Sequence, residues 1–399
     1  MKFFIRTLGC KLNQLDSARL AGALARAGHE PAPSEGEAEW VLVNTCTVTA
    51  ESERKSRQAA HGVLRADRRL AVLGCSARTE PARWRAQMPE VLVFEDEETL
   101  LAHFGADAGE APFPLTSRTR LPVAIQTGCD DVCTFCITRI ARGAHRSVPP
   151  DQVIRRLREA EDRGIREVVL TGVNLAAWGC DDTRRPVGSR LPALLHDLLR
   201  ETGMPRIRLS SLGPQYLGEA FFAVFADPRI CDHLHLSVQS GSPGVLGRME
   251  RGHGAAAILW VAQAARRVRP DVALAADLIA GFPGETEAEH GETVGLAEAA
   301  GFARLHVFPY SAREGTTAAT FPAQVPPEVR KARAQQLRAL GEQLRGAFLR
   351  TQYGKPAEVL AERDGTGLTT NYIRLRVPGI AEGEVARVTV TPGAVVDRR

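Results

Sequence analysis

The 399-residue chain has no apolar run approaching the roughly 18 residues that a membrane span requires, and its start, MKFFIRTLG, holds too short an apolar stretch for a secretory signal. These absences point to a cytoplasmic protein with no membrane partner. Charge of one sign is not in large excess either. The formal net charge is +4, a mild basic bias carried by Arg with Lys scarce, compatible with nucleic acid without demonstrating it. Hydrophobic content of 44% and charged content of 25% are ordinary for a globular chain and exclude disordered and collagen-like classes. Cysteine is confined to eight positions, which in a reducing compartment read as ligands plus bystanders rather than disulfides.

Three of the eight stand close together in QTGCDDVCTFCITRIARGAHRS, residues 126–147, where Cys129, Cys133 and Cys136 are spaced by four and three. A structural zinc site normally closes with four ligands, and no His or Cys stands nearby at a finger-like spacing; His145 would need an unusual loop. A cuboidal [4Fe–4S] cluster also usually takes four thiolates, so three would leave one iron open to a substrate or cofactor. Both metals remain open on spacing alone, but three ligands and an open position suit chemistry better than structure.

The first hundred residues alternate short apolar strands with amphipathic helical stretches, the pattern of βαβ units on a parallel sheet. Three of these strands end in cysteine: Cys10 in TLGCKLNQLDS, Cys46 in VLVNTCTVTA and Cys75 in AVLGCSAR. Ligands of open parallel sheets bind beyond the carboxyl ends of the strands, so three thiols there can converge. Taken singly, each is also a common buried residue. A second βα series follows, with strands expected at 121–126, 166–171, 206–211, 233–238, 272–279 and 303–308 and helices at 150–163, 191–201, 216–226, 255–268 and 286–300. Six strands are too few to close as readily as eight, which predicts an open partial barrel. A long helix at 326–350 precedes short strands in KPAEVLAE, NYIRLRV and EVARVTV. The fold class is therefore multidomain α/β: an N-terminal domain over 1–104, a linker over 105–120 rich in Gly, Ala, Pro and Arg, a central barrel over 121–350 and a small all-β domain over 351–399.

C-x₃-C-x₂-C with an aromatic residue, Phe135, before the last cysteine resembles the signature of radical S-adenosylmethionine (SAM) enzymes. With both triplets and the C-terminal β module, the chain resembles the radical SAM methylthiotransferases nearly end to end. LTGVNLAAWG, RIRLSSLGP, HLHLSVQSGS and HVFPYSAREGTTA resemble the branch acting on threonylcarbamoyladenosine in tRNA; sister branches act on isopentenyladenosine or a ribosomal protein. A different class of protein, a non-catalytic iron–sulfur tRNA-binding scaffold, predicts tRNA binding without SAM cleavage. The resemblance implies two [4Fe–4S] clusters: one on Cys129, Cys133 and Cys136 that binds and cleaves SAM, and an auxiliary one on Cys10, Cys46 and Cys75 that carries the sulfur. It also implies two SAM per turnover, tRNA as partner, and an external electron donor and sulfur source.

Residues at strand ends are the candidates for the SAM pocket: Thr171, Gly172 and Asn174, then Ser210 and Ser211, Gln239 and Ser240, and Gly281, Pro283 and Gly284. Turn chemistry alone accounts equally well for each. Arg139, Arg142 and Arg146 are candidates for substrate phosphates or the SAM carboxylate, or face solvent. Tyr310, Ser311 and Arg313 are expected beside the substrate adenosine. Cys180 and Cys231 fit neither triplet and read as structural, Asp277 as a core-facing polar group or a helix-cap partner rather than a catalytic one, and the histidines as bystanders. The C-terminal module resembles a TRAM domain, an RNA-binding β barrel. There Lys355, Asn371, Tyr372, Arg374, Arg376 and Arg387 are candidates to grip tRNA, with Tyr372 on the same strand face as Arg374 and Arg376.

Overall fold

The computed structural model describes residues 1–66, 68–107, 119–180 and 189–396, so most of the expected 105–120 linker lies outside the described residues. The chain forms two compact units. The first comprises Met1–Thr116 with Phe135–Ala144 and Ser311–Thr316; the second comprises Ser117–Thr134, His145–Tyr310 and Thr317–Arg399. Among the described residues no helix is long and apolar enough to cross a membrane.

The first unit is a five-stranded sheet of β1 (Lys2–Thr7), β2 (Glu30–Pro31), β3 (Trp40–Thr45), β4 (Arg69–Gly74) and β5 (Leu92–Val93), in the order β2-β1-β3-β4-β5 and parallel throughout. Its helices are α1 (Lys11–Arg26), α2 (Ala50–Arg65), α3 (Cys75–Thr79), α4 (Pro81–Gln87), α5 (Glu97–His103) and α6 (Thr138–Arg142). The run VLV in β3 is apolar without alternation because both faces are covered. Val41 and Val43 point to a core with Val63 and Trp84, and Leu42 points to the opposite core with Leu20, Leu24 and Leu100. All three strand residues are 0% exposed, so truncating Leu42 to Ala costs about 2–5 kcal/mol. A capping box at Thr49 and Ser52 starts α2 immediately after the Cys46 loop.

The second unit carries parallel strands β6 (Arg120–Ala124), β9 (Glu167–Thr171), β10 (Arg206–Leu209), β11 (Ser211–Leu212), β12 (His233–Gln239), β13 (Ala273–Ala280) and β14 (Arg304–Pro309); β7 (Gln126–Thr127) and β8 (Arg146–Ser147) pair antiparallel across the cysteine loop. The one strand expected at 206–211 divides at Ser210. β10 pairs with β9, whereas β11 pairs with β12, so the two short sheets β10-β9-β6 and β11-β12-β13-β14 together make the open six-strand partial barrel. Helices α7 (Pro150–Asp162), α8 (Leu191–Glu201), α9 (Glu219–Phe225), α11 (Ala255–Val268) and α12 (Glu287–Ala300) alternate with the strands, and α10 (Pro243–Arg248) adds a turn not anticipated from sequence.

Helix α13 (Pro327–Gln352) leads to a four-stranded antiparallel sheet of β15 (Pro356–Ala361), β16 (Thr366–Thr369), β17 (Arg374–Arg376) and β18 (Val385–Thr389), ordered β17-β16-β15-β18. Two buried arginines join this sheet to the barrel. Arg206 and Arg208 on β10 share Glu167 of β9, and all three are 1% exposed or less. Arg206 donates to the Leu368 carbonyl at 2.9 Å, and Arg208 to those of Thr369 and Thr370 at 3.0 and 2.8 Å. Despite its burial, Glu167 is held below the usual carboxylate range by the two guanidinium groups.

Candidate functional site

In the first unit, register brings the second thiol triplet together. Thr7 pairs with Asn44 and Thr45 with Gly74, so the adjacent strands β1, β3 and β4 end nearly level, each followed by its cysteine. Asn13, 1% exposed, lies among them. Its Nδ2 donates to the Leu8 and Thr45 carbonyls at 2.8 and 2.9 Å, which turns its Oδ1 toward the sulfurs of Cys10 (3.7 Å) and Cys75 (3.9 Å). Burial pushes the Cys75 thiol up to about 11, with the Arg142 charge opposing.

Two glycines make this convergence sterically feasible. Gly9 has φ +98°, and a Cβ there would lie 2.8 Å from Cys46 Cβ and 2.9 Å from its sulfur. Gly74 has φ +92°, and its Cβ would lie 2.7 Å from the Thr45 carbonyl oxygen. Both the backbone angle and the close approach exclude a side chain. The repeated Gly-Cys dipeptide in TLGC and VLGC is the sequence signal of this close approach.

Arg142, a candidate for substrate phosphates or the SAM carboxylate, lies beside this triplet. Its Nη2 donates to Asn13 Oδ1 at 2.6 Å and to Asp16 at 2.8 Å. Arg313, expected beside adenosine, is 5% exposed, pairs with Glu53 and donates to Thr47 Oγ1 at 2.8 Å. Ser311 Oγ accepts from the Ala50 amide at 3.1 Å. Cys136 and Phe135, both half-buried, belong to this first unit, whereas Cys129 and Cys133 belong to the second.

In the second unit, donors converge on the two cysteine sulfurs of the loop. Asn174 Nδ2 donates to Cys129 Sγ at 3.7 Å, and also faces Asp131 and the Tyr216 hydroxyl. Arg251 Nη1 donates to Cys133 Sγ at 3.1 Å. Gln126, fully buried, ties the loop to the turn after β9: its Oε1 accepts from the Asn174 amide at 2.8 Å and its Nε2 donates to the Gly128 carbonyl at 2.6 Å. A Cβ on Gly172 would lie 2.8 Å from that Oε1, so Gly172 leaves room for Gln126. Sequence reasoning missed Gln126, Arg251 and Tyr216, whose roles depend on residues 40 to 120 positions away. Thr171 is buried and bonds back to the Val169 carbonyl.

Other strand-end candidates show constrained backbones. Gln239 has φ +70° at an irregular register of β12, a strained geometry for a non-glycine residue. Gly281 has φ +72°, its amide donates to Glu285 at 2.7 Å, and a Cβ would press on Arg330. Tyr310 is 5% exposed and packs edge-on against Phe282 at 5.3 Å. Inside the barrel, His235 Nε2 lies 2.8 Å from Asp277, Ser211 Oγ lies 3.5 Å from the same carboxylate, and His306 stacks on His235 at 4.9 Å. Burial, reinforced by His235, pushes His306 down to about 4. His235, read from sequence as a bystander, thus shares one carboxylate with Ser211, and His306 stacks on its ring. Cys180 and Cys231 are buried.

The C-terminal candidates divide. The expectation that Tyr372 shares a strand face with Arg374 and Arg376 is corrected by its backbone: it lies before β17 with φ +67°, its ring stacks on His233 at 4.5 Å, and the Arg208 guanidinium lies 5.0 Å from its centroid. Arg374 pairs with Glu362, which also takes Arg120. Asn371 bonds to Gln352, and Lys355 pairs with Asp271. Arg376 and Arg387 are exposed.

The donor sets fit iron–sulfur ligation. Each triplet supplies soft sulfur ligands, and amide and guanidinium donors aimed at Cys129 and Cys133 are the outer groups that stabilise thiolates. Among the described residues no three His, Cys, Asp or Glu side chains stand as a site for a single metal ion.

Residues 2–95 match the family model described as uncharacterized protein family UPF0004, and residues 123–297 match the radical SAM superfamily. The chain is 35% identical to the threonylcarbamoyladenosine tRNA methylthiotransferase MtaB of Rickettsia prowazekii (strain Madrid E), over 94% of this chain and 90% of the relative. It is 33% identical to a tRNA-2-methylthio-N(6)-dimethylallyladenosine synthase of Cereibacter sphaeroides (strain ATCC 17025 / ATH 2.4.3), over 98% and 96%. In fold it resembles the radical S-adenosylmethionine methyltransferase TsrM of Kitasatospora setae, with TM-score 0.60 at 13% identity over 80% of this chain and 75% of that one.

Proposed function

The chain belongs to the radical SAM methylthiotransferase family, and we propose that it adds a methylthio group to carbon 2 of N6-threonylcarbamoyladenosine at position 37 of tRNA, converting t6A to ms2t6A. The observation that carries this reading is the second thiol triplet: Cys10, Cys46 and Cys75 leave adjacent strand ends, two of them facing one amide oxygen. When bound, [4Fe–4S] clusters on the two triplets and two molecules of SAM would supply the electron, the 5′-deoxyadenosyl radical, the methyl group and the site of sulfur delivery.

The chain's own residues orient and shield. Asn174 and Arg251 hold donors against Cys129 and Cys133. Gln126 fixes the turn that presents Asn174. Thr171, Gly172, Gln239 and Gly281, at the carboxyl ends of barrel strands, and Ser211, at the start of β11, line the proposed SAM pocket. Tyr310 is proposed to position the adenosine from the end of β14, and Arg313 is proposed to act within the first unit, on Glu53 and Thr47 beside Cys46. Residues 351–399 are proposed to meet the tRNA backbone through exposed Arg376 and Arg387.

The choice of the threonylcarbamoyl substrate rests on the motifs at 170–179, 206–214, 233–242 and 306–318 and on the relatives named for that nucleoside. Mass spectrometry of tRNA nucleosides from cells lacking the gene tests it. Loss of ms2t6A with t6A retained, restored by the gene, supports the reading. Loss of the methylthio group from the dimethylallyl nucleoside instead moves the chain to the sister substrate, and no change in either overturns tRNA methylthiolation.

A further inference from the structure

We propose that Arg142 is a positioning residue for the Cys10–Cys46–Cys75 site, supplying through Asn13 the positive charge that holds three thiolates together and sets the reduction potential of a cluster bound there. This rests on the assignment of those cysteines as cluster ligands.

The argument starts from an amide with no freedom. Both Nδ2 hydrogens of Asn13 are taken by the carbonyls of Leu8 and Thr45, the latter immediately preceding Cys46, so Oδ1 is obliged to face the sulfurs of Cys10 and Cys75. While the cysteines are protonated, their S–H groups donate to that oxygen. Ligation requires thiolates, which donate nothing, and the lone pairs of the buried Asn13 oxygen would then face negative sulfur, that of Cys75 buried and that of Cys10 exposed. Arg142 resolves the conflict: its Nη2 donates to the same oxygen at 2.6 Å. The guanidinium polarises the amide and brings a permanent positive charge to the thiol group.

Asp16 holds Arg142 in place at 2.8 Å and lies three residues after Asn13, on the first turns of α1. It also offsets part of the Arg142 charge, so the two residues act on the site with opposite sign. The short helix α6 brings Arg142 to this unit and ends at Gly143 with φ +71°. Net charge and donors near the sulfurs are established determinants of iron–sulfur potentials.

The test uses the full chain carrying Cys129→Ala, Cys133→Ala and Cys136→Ala, so that only the second triplet can ligate. After anaerobic reconstitution, iron per chain and the midpoint potential, followed by electron paramagnetic resonance, are measured for the parent, Arg142→Gln, Arg142→Lys and Asp16→Asn. Arg142→Gln is expected to shift the midpoint to more negative potential and to release iron to a chelator several-fold faster. Arg142→Lys is expected to recover most of the shift, and Asp16→Asn to move the potential in the positive direction. A full cluster with unchanged potential in both Arg142→Gln and Asp16→Asn overturns the proposal. So does an Arg142→Lys shift equal to that of Arg142→Gln, which would mark a packing role rather than a charge. A parent that binds no cluster, or that keeps one after Cys10, Cys46 and Cys75 are also changed to Ala, overturns the underlying ligand assignment instead.

Discussion

Arg251 donates from Nη1 to the sulfur of Cys133 at 3.1 Å, while its Nη2 is fixed by the carbonyl and hydroxyl of Ser237 at 3.0 and 3.2 Å. A guanidinium held at both ends is a charge-assisted donor that cannot rotate away from the sulfur, so it favours thiolate over thiol. In full chain lacking Cys10, Cys46 and Cys75, Arg251→Ala is expected to keep about four irons yet lower reductive formation of 5′-deoxyadenosine about 10–100-fold, with Arg251→Lys intermediate. Unchanged SAM cleavage in Arg251→Ala would remove this role.

Glycine substitutions separate conformational strain from crowding. Gly28 and Gly74 both have positive φ, but nothing lies within 4 Å of a Cβ at Gly28, whereas Gly74 faces the Thr45 backbone. Gly28→Ala should cost about 1–2 kcal/mol, the strain of the left-handed backbone alone. Gly74→Ala should cost about 1–3 kcal/mol more and disturb the Cys75 position. Urea unfolding measures both, and equal costs would show that the Gly74 site relaxes freely.

Stability should fall in acid through His253. This buried ring has Nε2 at 3.0 Å from the Val238 carbonyl, and burial, with Arg251 nearby, pushes it down to about 4. Between the ordinary His value near 6.5 and about 4 the unfolded chain binds the extra proton, so stability is fully present above about 6.5 and is lost as pH falls toward 4. His253→Gln should flatten that limb of the unfolding free energy against pH. An unaltered slope would assign the limb to other groups, with His306 the next to test.

Glu167 is the carboxylate on which the C-terminal sheet depends. Glu167→Gln leaves Arg206 and Arg208 buried with less compensation and should cost about 3–5 kcal/mol. Because both arginines also hold the carbonyls of Leu368, Thr369 and Thr370, limited proteolysis should cut faster between α13 and β16 in the variant. Wild-type protease resistance would show that the remaining contacts suffice.

If the C-terminal module meets tRNA through phosphates, Arg376→Ala with Arg387→Ala should weaken binding and reduce the salt slope by about one to two units. Tyr372→Ala should instead lower stability, because its ring is engaged by His233 and Arg208. An unchanged salt slope in the double variant would place recognition on other surfaces.

Patterns local in the chain were legible in the sequence. The doubly covered β3 announces itself as an apolar run because both its faces are buried, and the βα alternation predicts the parallel sheets and the open six-strand barrel, since each strand or helix needs only its own residues to declare its period. Boundaries failed where partners changed: nothing near Ser210 signals that the strand leaves β9 for β12, because pairing is a property of two strands.

By itself the sequence determined the two cysteine triplets, the position of one of them at strand ends and, through C-x₃-C-x₂-C, the chemistry the other suits. Only the tertiary structure decided which side chains attend them. Arg142 reads in sequence as one of three basic residues after a cysteine loop, yet it lies against Asn13, 129 positions earlier. Arg251 reaches Cys133 from 118 positions later. Tyr372 alternates with Arg374 on paper, but a left-handed backbone turns it to His233. A thiol ligand is recognisable from its own chemistry, whereas a donor near that thiol is one of many similar residues until folding places it within the few ångströms over which hydrogen bonds and charge act.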